Sequence, residues 1–396
     1  MKKNTFTFFG VTLVGIIGFL FIPVVHAGTE KTFQPNDFST YGLGLKNIKV
    51  KEDVPEYTPS TSYLTKQEAT KQKQQGIQTP STLPNHINLR EYFPEVRSQG
   101  KFGTCVPFAM TALREYYIAK DAGARGTDIT YLSPAYMYYP NGPHDGMYIE
   151  SALEVLKRSG VPPETERLYD VNSENIEQFK HPITPTQKEN ALPYRISGYQ
   201  VIRETNMVHK IKQALANLDP VLIGINVYPN FDATPTSGII PPVTEKKSRG
   251  GHALVVVGYD ETNQWFIVRN SWGVKFGDQG YAYMHYQTLL DMSNSVAYVI
   301  KPTQKQYPPF GVKMTTTDIN SSEIQFNISA KNATSYDLYK NNKKIQTFTT
   351  STITDLNIIP EKSYMYHVVA RNTMGETRGY PLSISIPPII PIKQAS

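Results

Sequence analysis

Gln99-Gly100-Lys101-Phe102-Gly103-Thr104-Cys105-Val106-Pro107-Phe108-Ala109 contains the one cysteine among 396 residues. A lone thiol has no internal disulfide partner, so it is either an inert core residue or a reactive group. From Cys105 to Lys120, Ala109, Ala112, Leu113 and Tyr116/Tyr117 recur at helical spacing, which predicts a helix opening at the cysteine. Pro107 suits the first turn, where a missing N–H costs nothing. The helix dipole there favours the thiolate, the form of cysteine that attacks carbonyls.

Two downstream stretches supply what a reactive thiol needs. His252 opens the apolar run Ala253-Leu254-Val255-Val256-Val257 after Gly250-Gly251, whose bare backbone admits a second chain closely. Asn270, in Asn270-Ser271-Trp272-Gly273, follows the next strand, and its amide oxygen can accept the imidazole N–H and set the ring's tautomer. Trp272 is placed to keep water from that bond. Taken singly, His252 reads as a hydrogen-bonded core histidine and Asn270 as a turn residue. The set points to nucleophilic catalysis.

The amino terminus reads as a secretory signal. Lys2 and Lys3 precede an apolar stretch from Phe6 to Ile22, and Val25-His26-Ala27 offers small residues for cleavage before Gly28. Residues 1–27 are therefore expected to be removed, and the product to be secreted or cell-surface associated. An uncleaved membrane anchor is the competing reading; the polar run that follows favours cleavage. Export implies an oxidising compartment, so a chain with one cysteine must rest on its core rather than on cross-links. A net charge of +6, scattered along the chain, does not argue for a nucleic-acid partner. No metal or cofactor is expected.

Residues 28–82 are rich in Thr, Pro, Lys and Gln, with a polar stretch at Lys66–Gly76 that has no apolar face to bury. They read as a linker or a detachable segment. Residues 83–303 look globular. Helices are predicted at Tyr148–Ser159 and Met207–Leu218, then strands at Pro220–Val227, His252–Asp260, Gln264–Arg269 and Tyr281–Tyr286. Helices first and antiparallel-type strands second give an α+β domain. Residues 306–388 alternate, with a hairpin turn at Asn341-Asn342, and about seven short strands there fit an all-β sandwich. Ile358–Tyr364 resembles the tyrosine corner of fibronectin type III modules, which implies an immunoglobulin/fibronectin III-like fold for this part.

The central region resembles the papain-like cysteine proteases, whose signature places His and Asn roughly 130–150 residues after the cysteine. Here His252 lies 147 and Asn270 165 residues downstream of Cys105. Leu83-Pro84 through Asn88-Leu89-Arg90 looks like the start of such a mature enzyme. Asp145-Gly146-Met147 looks like the family's glycine pair, and Pro220–Ile225 like the strand opening its second lobe. Asn270-Ser271-Trp272-Gly273 with Phe276-Gly277 and Gly280-Tyr281 matches its asparagine motif. The resemblance implies a two-lobed fold, a helical left lobe and an antiparallel β right lobe. It also implies Cys105 as nucleophile, His252 as general base and acid, and Asn270 as the group orienting the imidazole. The Gln99 side chain and the Cys105 N–H would form the oxyanion hole. Substrate would lie along Gly146, Met147, Tyr148, Gly224, Gly250, Gly251, Ala253 and Trp272, small or apolar positions that imply a bulky apolar P2 residue.

By the same resemblance the substrates are proteins or peptides, and residues 28–82 are a propeptide acting as an intramolecular inhibitor. Phe102 stands where the family usually has a disulfide cysteine, Val106 replaces an aromatic, and Phe276 replaces a second tryptophan. None of these carries a chemical role. Two other functions remain open on the sequence: a catalytically silent binding protein of this fold, and a cell-wall amidase using a Cys-His pair. A surface or matrix ligand for the C-terminal module is likewise open, since such modules host many functions.

Overall fold

The computed structural model describes residues 38–46, 50, 52–58, 83–126, 129–139, 146–172, 176–302 and 307–389. The expected signal peptide 1–27, the polar stretch 66–76 and Asp145 lie outside the described residues.

Helix α1 (Cys105–Ala122) ends at Gly123, whose φ of 63° lets its N–H turn back to Ala119 O and Lys120 O. Glycine takes that left-handed stop without strain. Every residue from Cys105 to Ala119 is buried. A helix apolar on nearly all sides belongs inside a protein, and α1 is the central helix, packed against the main sheet. Its two buried charges, Arg114 and Glu115, break that pattern.

The other helices are α2 (Pro134–Tyr138), α3 (Ile149–Arg158), α4 (Pro185–Ala191), α5 (Met207–Ala216), α6 (Pro229–Asp232) and α7 (Tyr286–Met292). Helix α3 buries Ile149, Ala152, Leu153 and Leu156, and α5 buries Met207, Ile211, Ala214 and Leu215, one stripe each. Helix α5 stops short of the predicted Leu218, which has a left-handed φ of 60°.

Seven antiparallel strands form the main sheet: β1 (His86–Asn88), β2 (Ile196–Arg203), β3 (Val221–Val227), β4 (Gly250–Asp260), β5 (Trp265–Arg269), β6 (Tyr281–His285) and β7 (Ser293–Pro302). Their order is β2-β7-β3-β4-β5-β6, with β1 on β4. Strand β4 is buried from His252 to Tyr259 without alternation, because both of its faces are covered. Strands β1, β2 and β7 were not legible in the sequence. Gly198 interrupts β2, and the first half of β7 is only half-buried.

A second core lies beyond Pro302. It is built from β8 (Phe310–Ile319), β9 (Ile324–Lys331), β10 (Ser335–Lys340), β11 (Lys343–Phe348), β12 (Thr352–Asp355), β13 (Ser363–Asn372), β14 (Gly375–Arg378) and β15 (Leu382–Ser385). They make a five-stranded sheet, β11-β10-β13-β14 with β15 on β13, and a three-stranded one, β12-β9-β8. Ile324, Phe326, Leu338, Tyr366 and Val368 fill the space between. Asn341 and Asn342 both have positive φ, 50° and 64°, as a tight hairpin turn requires.

Candidate active site

The β4–β5 register brings the histidine and asparagine together. Val255 pairs with Arg269, so the next residue, Asn270, is one diagonal step from His252 on the same face. His252 Nε2 and Asn270 Oδ1 are 2.8 Å apart. Oδ1 also accepts the Ser271 N–H at 2.7 Å, which fixes the amide with its oxygen toward the ring. Nε2 therefore carries the proton, and Nδ1, which has no hydrogen-bond partner, is left free to accept one. Trp272 is fully buried, with its ring centroid 4.9 Å from the imidazole.

Cys105 begins α1 and is fully enclosed. The N–H of Ala253, the residue after His252, points to its sulfur. Gln99 is held on both sides: its N–H donates to Ser271 O at 2.8 Å, and its Oε1 accepts the Ser271 hydroxyl at 2.6 Å. Its Nε2 then donates to Phe102 O at 2.8 Å and to Gly42 O at 3.0 Å. Ser271 thus aims the Gln99 amide. The sequence offered this residue in the quoted tetrapeptide, but nothing there marked its role.

The partner at Gly42 belongs to a segment crossing the site. The N–H of Leu45 donates to Gly251 O at 3.1 Å and that of Lys46 to Met147 O at 3.2 Å, while Met147 N–H donates to Gly44 O at 2.7 Å. Gly146, at φ 65°, leaves no room for a Cβ, which would stand 2.2 Å from Gly44 O. The Leu43 side chain lies against Gly250, and the Lys46 ammonium sits 5.5 Å from the Tyr148 ring centroid. Gly224 pairs with Ala253 across β3 and β4. Phe38 and Tyr41 lie 5.9 Å and 5.5 Å from Trp272. Arg249, bound to Asp232 at 2.6 Å, donates to Tyr41 O at 2.8 Å.

A second contact follows at residues 54–58. Tyr57 N–H donates to Val201 O at 2.7 Å and Val201 N–H to Pro55 O at 3.0 Å, so this stretch pairs with the exposed edge of β2. Glu56 binds Arg203 at 2.6 Å and Lys210 at 2.7 Å, and the Tyr57 hydroxyl donates to Asp219 at 3.1 Å. Residues 28–82 read as a linker or a detachable segment, and these two stretches of it pack against the body. Phe38, Leu45 and Tyr57 belong to the main core. Aromatics and alternating glycines achieve the packing, which a search for aliphatic periodicity overlooks.

Enclosure controls the charges. Burial pushes the Cys105 thiol up to about 11, against the pull of nearby backbone N–H groups including its own and that of Val106. Burial also lowers the His252 imidazole to about 4, outweighing its bond to Asn270, and the Arg249 charge adds to the lowering. Burial therefore works against the thiolate expected at a helix terminus while residues 38–46 cover the sulfur, and both shifts favour the neutral forms. Among the described residues no cluster of His, Cys, Asp and Glu is arranged to hold a metal.

A thiol on a helix terminus, a histidine on the facing sheet and a side-chain amide aimed between them define a cysteine-type peptidase. The chain belongs to the papain family of cysteine proteases, whose family model matches residues 83–300. It is 27% identical over 238 residues to a cysteine protease of Blomia tropicalis, covering 57% of this chain and 68% of that one. It is 28% identical over 209 residues to a cathepsin L-like proteinase of Fasciola hepatica, covering 51% and 60%. Among solved structures, xylellain, a cysteine protease from Xylella fastidiosa, has a TM-score of 0.55 at 24% identity, covering 67% of this chain and 97% of that one. A digestive procathepsin L2 proteinase from Tenebrio molitor larval midgut gives 0.50 at 20% identity, covering 68% and 81%. These two likenesses concern the fold.

Proposed function

We propose that the chain is a secreted cysteine endopeptidase made as a proenzyme, with residues 38–58 the inhibitory part of a prosegment spanning 28–82. The observation that carries this reading is the Gln99 amide donating to a main-chain carbonyl, Gly42 O, at 3.0 Å beside Cys105. A peptide carbonyl is the group an acyl-transfer site must hold.

Once the segment leaves, water and the neighbouring imidazole restore an ion pair, and Cys105 Sγ gives its proton to His252 Nδ1. The thiolate adds to the scissile carbonyl carbon. Gln99 Nε2 and the Cys105 N–H stabilise the resulting oxyanion. Asn270 holds the imidazolium in place, and Nδ1 then protonates the leaving amine. A water deprotonated by Nδ1 hydrolyses the thioester. Leu43 against Gly250, and Leu45 beside Met147 and Gly251, support a preference for apolar side chains near P2.

The C-terminal strands are read as a fibronectin III-like module. In support, the Tyr364 hydroxyl accepts the Ile359 N–H at 3.0 Å, a corner joining two strand ends.

The test compares the parent with Cys105→Ala. The parent should lose residues 28–82, digest casein and take up one equivalent of a thiol-reactive epoxide, and the variant should do none of these. A processed parent that neither cleaves nor labels sinks the proposal.

A further inference from the structure

Two residues before the oxyanion donor, half-buried Arg97 joins two buried carboxylates. Arg97 donates to Glu164 at 2.6 Å, to Glu115 at 3.1 Å and to Leu132 O at 3.2 Å. Its ring neighbour is Tyr131, 4.3 Å from the guanidinium. Arg97 also fixes the main chain of the donor segment: its carbonyl accepts the Gly273 N–H at 3.2 Å, two residues before Gln99 binds Ser271. The residue that carries this guanidinium thus stands two positions before Gln99 on a segment paired with residues 271–273.

The C-terminal unit enters this group. The Tyr380 hydroxyl donates to Glu164 Oε2 at 3.1 Å, the same oxygen that receives Arg97. The unit is also seated on the far half of α1, the helix that starts at Cys105. Phe310 is buried among Ala119, Ala124 and Ile129, and Gly311 N–H donates to Thr130 at 2.6 Å. Tyr307 approaches the buried Arg114 and donates to Asp121 at 3.1 Å. A module that served only as a spacer would have no reason to send a hydroxyl to a carboxylate in the catalytic domain's interior.

We propose that the C-terminal unit braces the catalytic site, and that Tyr380 is a positioning residue acting through Glu164 and Arg97 on Gln99. The proposal rests on the peptidase reading for its kinetic consequence. The physical basis is acceptor occupancy. Glu164 Oε2 is held by a cation on one side and a hydroxyl on the other, and losing the hydroxyl frees the carboxylate to turn, carrying Arg97 with it. Misplacing an oxyanion donor costs turnover more than binding, because the donor matters most when charge develops.

Tyr380→Phe tests this in the full chain, allowed to process, with a peptide substrate. The ring and its packing stay, and only the hydroxyl goes. The expected result is a fall in kcat of about threefold to tenfold with KM within about twofold, inside the range by which residues touching no ligand modulate a site. The melting temperature should not move. Glu164→Gln should lower kcat in the same sense, and adding Tyr380→Phe to it should cost nothing further, as expected of groups acting in series. Amide exchange at Gln99 should quicken in Tyr380→Phe, a readout that needs no activity. Unchanged kcat with unchanged Gln99 exchange overturns the brace, as does a kcat loss that merely tracks a lower melting temperature. If the parent cleaves no peptide, the functional reading fails while the exchange rate still decides the brace.

Discussion

Gly44 lies so close to Gly103 that a Cβ on it would stand 1.9 Å from the Gly103 carbonyl oxygen. Gly42 is as confined, its Cβ falling 2.2 Å from Phe102 O. Both obstacles are main chain and cannot swing aside. Gly44→Ala should therefore lift the segment from the cleft. Cys105 is the only thiol, so iodoacetamide uptake by the intact chain reports this directly. The rate should rise about tenfold or more, since a backbone clash of this depth exceeds the ~1.4 kcal/mol behind a tenfold shift. An unchanged rate would mean that the segment does not guard the sulfur.

The contact at β2 tethers the same segment from the other end. Glu56 is partly exposed, so each of its ion pairs contributes little; together they are expected to give about 1 kcal/mol. Glu56→Ala should raise the Cys105 alkylation rate by about threefold to fivefold, because a divalent ligand loosens when either end is weakened. Its effect should shrink at high salt, and that of Gly44→Ala should not.

Acid should open the cleft. The test uses Cys105→Ala, which has no thiol to share a proton with the imidazole: enclosed His252 has its pKa lowered to about 4, and in the open state of this variant it returns toward its ordinary 6.5. A lowered pKa means the open state binds more protons below 6.5, so closure is fully present above that pH and weakens as the pH falls toward about 4. Glu56, also held below its ordinary value, acts in the same sense at the lower end of the window, and Asp219, raised by burial, opposes it. Amide exchange of Leu45, corrected for its intrinsic pH dependence, should speed up by at most about tenfold per unit across that window. A flat profile would exclude His252 as the coupled group.

Removing Ser271's hydroxyl should misdirect Gln99. Ser271→Ala leaves Gln99 Oε1 without its donor, and the processed enzyme should lose kcat by about tenfold, less than the 10²–10³ of deleting the oxyanion donor itself. Gln99→Ala provides the comparison. Equal losses in the two variants would show that the hydroxyl does more than aim the amide.

The placement of Cys105 at a helix start, and of His252 beside Asn270, was legible in the sequence for a plain reason. Cys105, His252 and Asn270 each sit at an end of a regular element, and such ends can be read from periodicity and glycines. The α+β order of the central region was legible in the same way. The cleft segment was not. Its packing depends on missing side chains at Gly42 and Gly44 and on Phe38 and Tyr41 reaching Trp272, relations that exist only once residues some 60 and some 230 positions apart in the chain are adjacent. The effect of burial on charge was not legible for a related reason. A helix terminus favours a thiolate in water, and the sequence does not reveal that the terminus is covered.

The position of β7 sets an order of events. It lies between β2 and β3, yet it is the last strand of the main sheet to emerge in the chain. Until residues near 302 are available, β2 has no partner and the sheet stays split in two. The edge that receives Tyr57 is therefore completed late, by contacts between distant parts of the chain, the kind that close slowly. Residues 54–58 emerge long before β7, yet they can dock only onto an edge that β7 holds in place. Their docking is a closing step of folding, and a chain cut short before β7 should leave residues 54–58 unseated.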